Sequence, residues 1–214
     1  NHNRDFIVSL MLQLIYYHSG KDLKIVVFTN KTNEERWDYL KYLSHCWNSK
    51  FDKRFFATTD NEMMEISLFL ESIYDERLKS FNTEESNNVD DKHMYLNFSE
   101  YYLIVTDDFK TAKDVSIVNR IINTDKKMGF SLLIFENSIN NLPSRFNNFI
   151  DINDDVSGVF GRKIDKNNQV KFKMNYLPDV DMRVFTSRLA NIPVYSKDIN
   201  TSIPSSLTFL DMYM

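Results

Sequence analysis

Glycine and cysteine are both scarce, with four glycines and one cysteine among 214 residues. A loop that cradles phosphate needs glycines so that successive backbone N–H groups can turn toward the phosphates, with a Lys and a Ser or Thr behind them. None of Gly20, Gly129, Gly158 and Gly161 opens such a pattern, and Gly158-Val-Phe-Gly161 has neither the Lys nor a strand-to-helix setting. No phosphate-binding loop is encoded here. A single cysteine, Cys46, excludes an internal disulfide framework and is compatible with a reducing compartment. Zinc-spaced cysteines, a histidine pair on one helix face and a Gly-x-Ser-x-Gly elbow are missing too. No stretch approaches the ~20 consecutive apolar residues that span a bilayer, and the N-terminus has no signal-peptide pattern, so these residues are expected to be soluble by themselves. Basic residues are not in excess: 26 Lys and Arg stand against 30 Asp and Glu, a formal charge of -4. Nothing here draws a phosphate backbone, so nucleic acid is not an expected partner. Repeats and low-complexity tracts are absent.

What the chain does have is core-forming material, 43% hydrophobic and 14% aromatic, enough for one sizeable α/β domain. The stretch around which the rest is organised is Tyr101 to Phe109, YYLIVTDDF. Five apolar or aromatic residues in a row, ending abruptly in two carboxylates, predict a strand buried on both faces whose C-terminal end opens onto solvent. In parallel α/β sheets ligands sit beyond the carboxyl ends of the strands, which is where Asp107 and Asp108 would stand. In a nucleotide hydrolase an acidic pair at that place holds Mg²⁺ and polarises water. The competing reading is that Thr106, Asp107 and Asp108 end a strand and cap the next helix.

The remaining elements alternate. A helix is predicted over Asp5 to Ser19, with Phe6, Ile7, Leu10, Met11, Leu14, Ile15 and Tyr17 on a broad stripe and Gly20 as its stop. His18 in its last turn reads as a dipole partner or a packed side chain. Leu23 to Phe28 predicts a strand, Asn33 to Leu43 a helix carrying Trp37, Leu40 and Leu43, and Lys53 to Ala57 a second strand. Cys46 lies beside His45 in the loop between, but adjacent side chains rarely face each other and no third group is evident, so packing is expected rather than a nucleophile. A long helix follows from Asp60 to Phe81 with Met63, Ile66, Leu70, Ile73 and Tyr74 inward. Asn82 to Asn97, which includes His93, reads as a solvated polar loop. After the Tyr101 strand come a helix over Thr111 to Thr124 and a strand over Phe130 to Phe135. This alternation predicts a parallel sheet with right-handed crossovers. Beyond Pro143, Phe149 to Ile152 is expected as a final strand of that sheet, and Gly158 to Lys163 with Gln169 to Met174 as an antiparallel hairpin. A last helix, introduced by Pro178 and Asp179, should run to Ala190. The segment from Pro193, ending in Leu207, Phe209, Leu210, Met212 and Tyr213, should pack back or lead into another domain.

The order of segments carries a resemblance. NRDFIVSLMLQLIYYHSGKDLKIVVFTN, WDYLKYLSHCW, RFFATTDNEMMEISLFLESIYDER, YYLIVTDDF, GFSLLIFENSINNLP and SLTFLDMY together resemble the EssC/YukB/EccC proteins of type VII secretion over nearly the whole chain. These are membrane-anchored chains carrying several ATPase-like domains of the FtsK/SpoIIIE type that drive export of small helical proteins. The resemblance implies an α/β, RecA-like (P-loop NTPase-like) fold, a mostly parallel sheet flanked by helices with a C-terminal antiparallel hairpin. It further implies a single degenerate first ATPase-like domain over residues 1–214, cut from a larger membrane protein, with the missing strand and phosphate loop just upstream of Asn1.

On this resemblance Asp107 matches the Walker B aspartate and Asp108 replaces the usual glutamate with a shorter acid. Glu136-Asn137 falls where active motors place a sensor of the γ-phosphate, and an acid there repels phosphate. The implied role is a noncatalytic coupling or assembly module. No cofactor or metal is expected in this stretch, ATP and Mg²⁺ belonging to downstream domains of an ATPase parent. Partners would be other domains of the same motor and other secretion components, with a homo-hexamer of the parent. Membrane contact would come only through the parent chain, at the cytoplasmic face of the bacterial cell membrane. The alternatives are a weak ATP-binding regulatory domain completed by upstream residues, in which Asp107 and Asp108 touch the cofactor, and a free-standing small-molecule binding domain of doubly wound type.

Overall fold

Strand β3 (Tyr101–Thr106) lies inside a four-stranded parallel sheet, between β1 (Leu23–Phe28) and β4 (Phe130–Ile134), with the two-residue β2 (Phe56–Ala57) on the far side of β1. The computed structural model describes residues 2–87, 98–146, 148–152, 157–162, 169–173 and 180–192, with side chains omitted at 2–4 and 84–87. β1 and β3 run in step from Leu23 opposite Tyr101 to Phe28 opposite Thr106. Continuous apolar runs suit this position, because both faces of each strand are covered.

The two faces bury different helices. On one, Val26, Phe28, Tyr102 and Ile104 pack against Met63, Ile66, Leu70 and Tyr74 of α3 (Asp60–Asn87) and Ile117, Val118 and Ile121 of α5 (Ser116–Asn123). On the other, Ile25, Val27 and Val105 meet Met11 and Ile15 of α1 (His2–Tyr17), together with Trp37, Tyr39, Leu40, Leu43 and Cys46. Alternate residues of one strand thus feed two cores, the three-layer α/β arrangement expected from the sequence.

Several boundaries differ from expectation for identifiable reasons. The helix predicted over Asn33 to Leu43 is one α-turn, α2 (Glu34–Trp37), followed by short 3₁₀ turns at Asp38–Leu40 and Ser44–Cys46. Trp37 and Tyr39 are both buried, yet on a regular helix they would project about 200° apart. Breaking the helix turns both inward. The helix predicted over Thr111 to Thr124 is split into α4 (Phe109–Ala112) and α5. The hydroxyl of Ser67 on α3 takes the Ile117 N–H at 3.0 Å, a donor that a continuous helix would have spent on its own backbone. α3 continues to Asn87, because extending an anchored helix adds one hydrogen bond per residue. The rest of the expected polar loop, His93 included, lies outside the described residues.

Phe149 to Ile152 does not join the parallel sheet. As part of β5 (Asn148–Ile152) it pairs antiparallel with β6 (Ser157–Arg162), which pairs with β7 (Val170–Lys173). Its exposed Ile150 and Asp151 do not suit a strand covered on both faces. The expected hairpin is therefore two strands of a three-stranded sheet, with Gly158 leaving room for the Phe172 ring across the pair. α6 (Met182–Ala190) is capped by Asp181, whose carboxylate accepts from the N–H groups of Arg183 and Val184 at 3.0 and 3.1 Å. Met182 and Leu189 pack against the α1 side of the sheet. The 164–168 turn, Pro178 and Asp179, and the segment from Pro193 lie outside the described residues. Among those described, no helix is long and apolar enough to cross a membrane.

Candidate functional site at the strand ends

The carboxyl ends of β1 and β3 bring four polar side chains together. Thr29, completing β1 with an N–H bond to Ala57 O at 3.0 Å, donates its hydroxyl to Asp107 Oδ1 at 2.6 Å. The other oxygen of Asp107 accepts no hydrogen bond, although only 6% of that side chain is exposed. What faces it is Arg36 of α2, with Nη1 3.7 Å away. Asp108 is engaged differently: its carboxylate accepts from Thr111 N at 3.4 Å, Thr111 Oγ1 at 3.1 Å and Asn30 Nδ2 at 3.0 Å. Asp108 caps α4, while Asp107 beside it is held by another element. Asn30 also accepts the Asn33 N–H at 2.9 Å, so one amide joins the start of α2 to the start of α4.

The acids nearby are also occupied. At the end of β2, Thr59 and Glu62 form a reciprocal cap: Thr59 N donates to Glu62 Oε2 at 3.1 Å and Glu62 N to Thr59 Oγ1 at 3.4 Å. The Thr58 N–H bond to the same carboxylate is the main force holding the Glu62 carboxyl below its usual range. Glu136 is exposed and accepts from Asn141 Nδ2 at 3.2 Å, with Asn137 exposed beside it.

A Mg²⁺ ion of the kind the fold implies does not fit these ends as they stand. Such an ion needs about six oxygens and keeps several waters. Asp107 gives one oxygen to Thr29 and turns the other toward a guanidinium, and both oxygens of Asp108 accept hydrogen bonds. Among the described residues no three His, Cys, Asp or Glu side chains gather to hold a metal.

The Cys46–His45 pair is a packing feature. Burial pushes the Cys46 thiol up to about 12, far from a reactive thiolate. His45 turns its Nε2 to the His18 carbonyl at 2.8 Å, tying the end of α1 to the 3₁₀ turn. Arg36 was not singled out from the sequence. One signal pointed to it: it follows β1, and β1 beside β3 brings the loops after those strands together.

A parallel sheet covered by helices on both faces, with an aspartate beyond its central strand, is the architecture of RecA-like ATPase domains. The resemblance read from the sequence holds: 204 residues, 95% of the chain, align at 25% identity with the type VII secretion system protein EssC of Staphylococcus aureus strains MSSA476 and NCTC 8325 / PS 47. The chain spans 13% of the length of those relatives. Among solved structures, EssC (ATPases 2 and 3) from Geobacillus thermodenitrificans superposes with a TM-score of 0.59 at 12% identity, over 86% of this chain and 40% of that one. That likeness establishes the fold alone. No protein-family profile matches the chain.

Proposed function

We propose that this chain is a noncatalytic ATPase-like module of a type VII secretion motor, coupling or assembling the membrane part with downstream ATPase domains. The observation that carries the reading is Asp108. A catalytic acid beside the Walker B aspartate must be free to orient water, whereas Asp108 is committed to Thr111 and Asn30. Similarity to EssC over 95% of the chain supports the setting. The work of such a module is mechanical, passing movement through its faces to neighbouring domains of one polypeptide and to other secretion components at the cytoplasmic face of the membrane. In the parent protein, removing residues 1–214 should stop export, while Asp107→Asn should leave export and ATP turnover unchanged. Continued export after the deletion would sink the coupling role.

A second reading is favoured by the unsatisfied buried oxygen of Asp107. In it, upstream residues complete a weak regulatory ATP site that uses this carboxylate. A chain extended upstream should then bind Mg-ATP in calorimetric titration, and Asp107→Asn should weaken the binding. Equal binding by both would remove that reading.

A further inference from the structure

The chain turns sharply between the bridge partners Trp47 and Arg54. Ser49 donates its hydroxyl to Glu100, just ahead of β3, which puts this turn at the end of the sheet away from Asp107. One buried side chain holds it. The Oδ1 of Asn48, a residue 8% exposed, accepts the N–H groups of Asp52 and Lys53 at 3.1 and 3.2 Å, and its Nδ2 donates to Asp52 Oδ1 at 2.5 Å. Backbone bonds from Asn48 N to Lys53 O and from Phe51 N to Asn48 O, both 3.0 Å, close the turn. At its tip Phe51 is forced to a φ of 58°, a region that bulky side chains avoid. Strain of this kind persists where the surroundings impose it, and it collects at ligand contacts and switches. Phe51 gives the fold no packing in return, being 61% exposed and part of neither core.

Cations flank the ring. Lys50, Lys53 and Arg54 enter none of the described ion pairs, and the exposed Arg54 lies over the Trp47 ring at 4.5 Å. The acids nearby are engaged: Asp52 by Asn48, and Glu100 by Ser49 and by Tyr102 Oη at 2.8 Å. A cleft of about 560 Å³ between the turn and Phe69 and Ile73 of α3 is bordered by Asp52 and Glu100 as well as by Lys50 and Lys53, so charge does not single out an anionic peptide there. Phe51 is not among its walls and is left to a surface outside the molecule. An aromatic tip among free cations is complementary to an anionic bilayer, where a ring settles between headgroups and cations meet phosphates.

We propose that this turn rests on the anionic surface of a lipid bilayer, with Phe51 in the headgroup layer and Lys50, Lys53 and Arg54 against lipid phosphates. The formal charge of -4 opposes this little, because charges more than about 8 Å from the contact are screened at physiological salt. One ring and three cations hold weakly, and a membrane-anchored parent supplies the rest by keeping the turn near the surface. The inference deepens the proposed function by naming the surface against which the module is set, and it rests on the placement of the module at the membrane.

The test sediments the 214-residue chain with sucrose-loaded vesicles of phosphatidylcholine, alone or mixed with phosphatidylglycerol, at physiological salt. Vesicles with phosphatidylglycerol should carry down about ten-fold more chain than those without, and Lys50→Gln with Lys53→Gln should remove most of that preference. Phe51→Gly suits the φ at the tip and should fold at least as well, yet cut binding to the anionic vesicles roughly five-fold. Equal sedimentation with both vesicles, in any amount, would overturn the proposal, as would a preference untouched by the lysine pair or by Phe51→Gly. A second measurement needs no variant. Nitroxide-labelled lipid in anionic bicelles should broaden the amide signals of residues 49–54 and spare those around Asp107; broadening centred elsewhere would also overturn it. Export is not read in either experiment, so a preference for anionic vesicles alongside a harmless deletion would sink the coupling role and leave the lipid contact standing. Export loss with no such preference would do the reverse.

Discussion

Thr29 and Asp107, 78 residues apart in the chain, share a hydrogen bond of 2.6 Å across the ends of two neighbouring strands. This hydroxyl is the only hydrogen-bond donor described for a carboxylate that is 6% exposed. Thr29→Val keeps the shape and removes the donor. The expected loss is about 1–3 kcal/mol, the cost of leaving a buried acceptor unsatisfied. Urea unfolding of the two chains at neutral pH checks it; equal midpoints would mean that water replaces the hydroxyl without penalty.

Arg77 joins α3 to the opposite end of the sheet. It donates to Met128 O and Glu100 O at 2.8 Å each, and its guanidinium lies 4.4 Å from the centre of the Phe98 ring. Arg77→Met retains bulk but loses both carbonyl bonds and the cation over the ring, for an expected cost of roughly 2–4 kcal/mol. Arg77→Lys should recover less than half, since an ammonium lacks the fork that spans two carbonyls. Thermal unfolding of the three chains orders them.

Gly20 ends α1 where the chain passes the Ser44 backbone. A Cβ there would overlap the Ser44 hydroxyl and sit 2.8 Å from its carbonyl carbon. Gly20→Ala should therefore destabilise by about 1–3 kcal/mol through forced displacement. Ser44→Ala in the same chain should restore only part of the loss, because the backbone contact remains. Complete restoration would show that the side chain alone set the limit.

His45 gives the fold an acid sensitivity. Burial lowers its pKa, outweighing the favourable bond to the His18 carbonyl, and its Nδ1 is buried without a partner. The unfolded imidazole, near about 6.5, binds a proton more readily than the folded one. Its contribution is fully present above that value and is lost as pH falls through the lower folded pKa. Stability should decline on acidification below about pH 6.5, and His45→Gln should flatten that part of the profile while lowering stability at pH 7.5. A profile unchanged by the substitution would assign the decline to other groups.

Cys46 should be silent toward thiol reagents. With its thiol buried and pushed up to about 12, labelling at pH 8 should be negligible in the folded chain and complete in denaturant. Fast native labelling would mean that the turn at Ser44–Cys46 opens readily.

The central strands were legible because burial on both faces leaves a dense signature: LKIVVF, YYLIVT and FSLLI lie where their composition put them. Elements covered on one side were read less well. Trp37, Leu40 and Leu43 look like a helix stripe, but they share with Tyr39 a core shaped by α1 and β1, and burying Tyr39 as well demanded a broken path. Phe149 to Ile152 has strand composition, and only its exposed residues separate a small antiparallel sheet from the edge of a large parallel one. At the site, Asp107 and Asp108 stood out as a pair. The cap on the next helix was one of the two readings of that stretch, and Asp108 makes it; that Asp107 instead faces Thr29 and Arg36 depends on the loop after β1 and left no mark in the local spacing.

The matched register of β1 and β3 has a consequence for load. Six residue pairs, Leu23 with Tyr101 through Phe28 with Thr106, join strands that point the same way. Tension drawing these strands past each other along their length stretches the bonds between them together, in shear, and none can yield ahead of the rest. Tension peeling one strand sideways would instead break them singly. The sheet would resist stretching most strongly along the strand axis, and the short β2, with two pairs to β1, would be the first piece of it to let go.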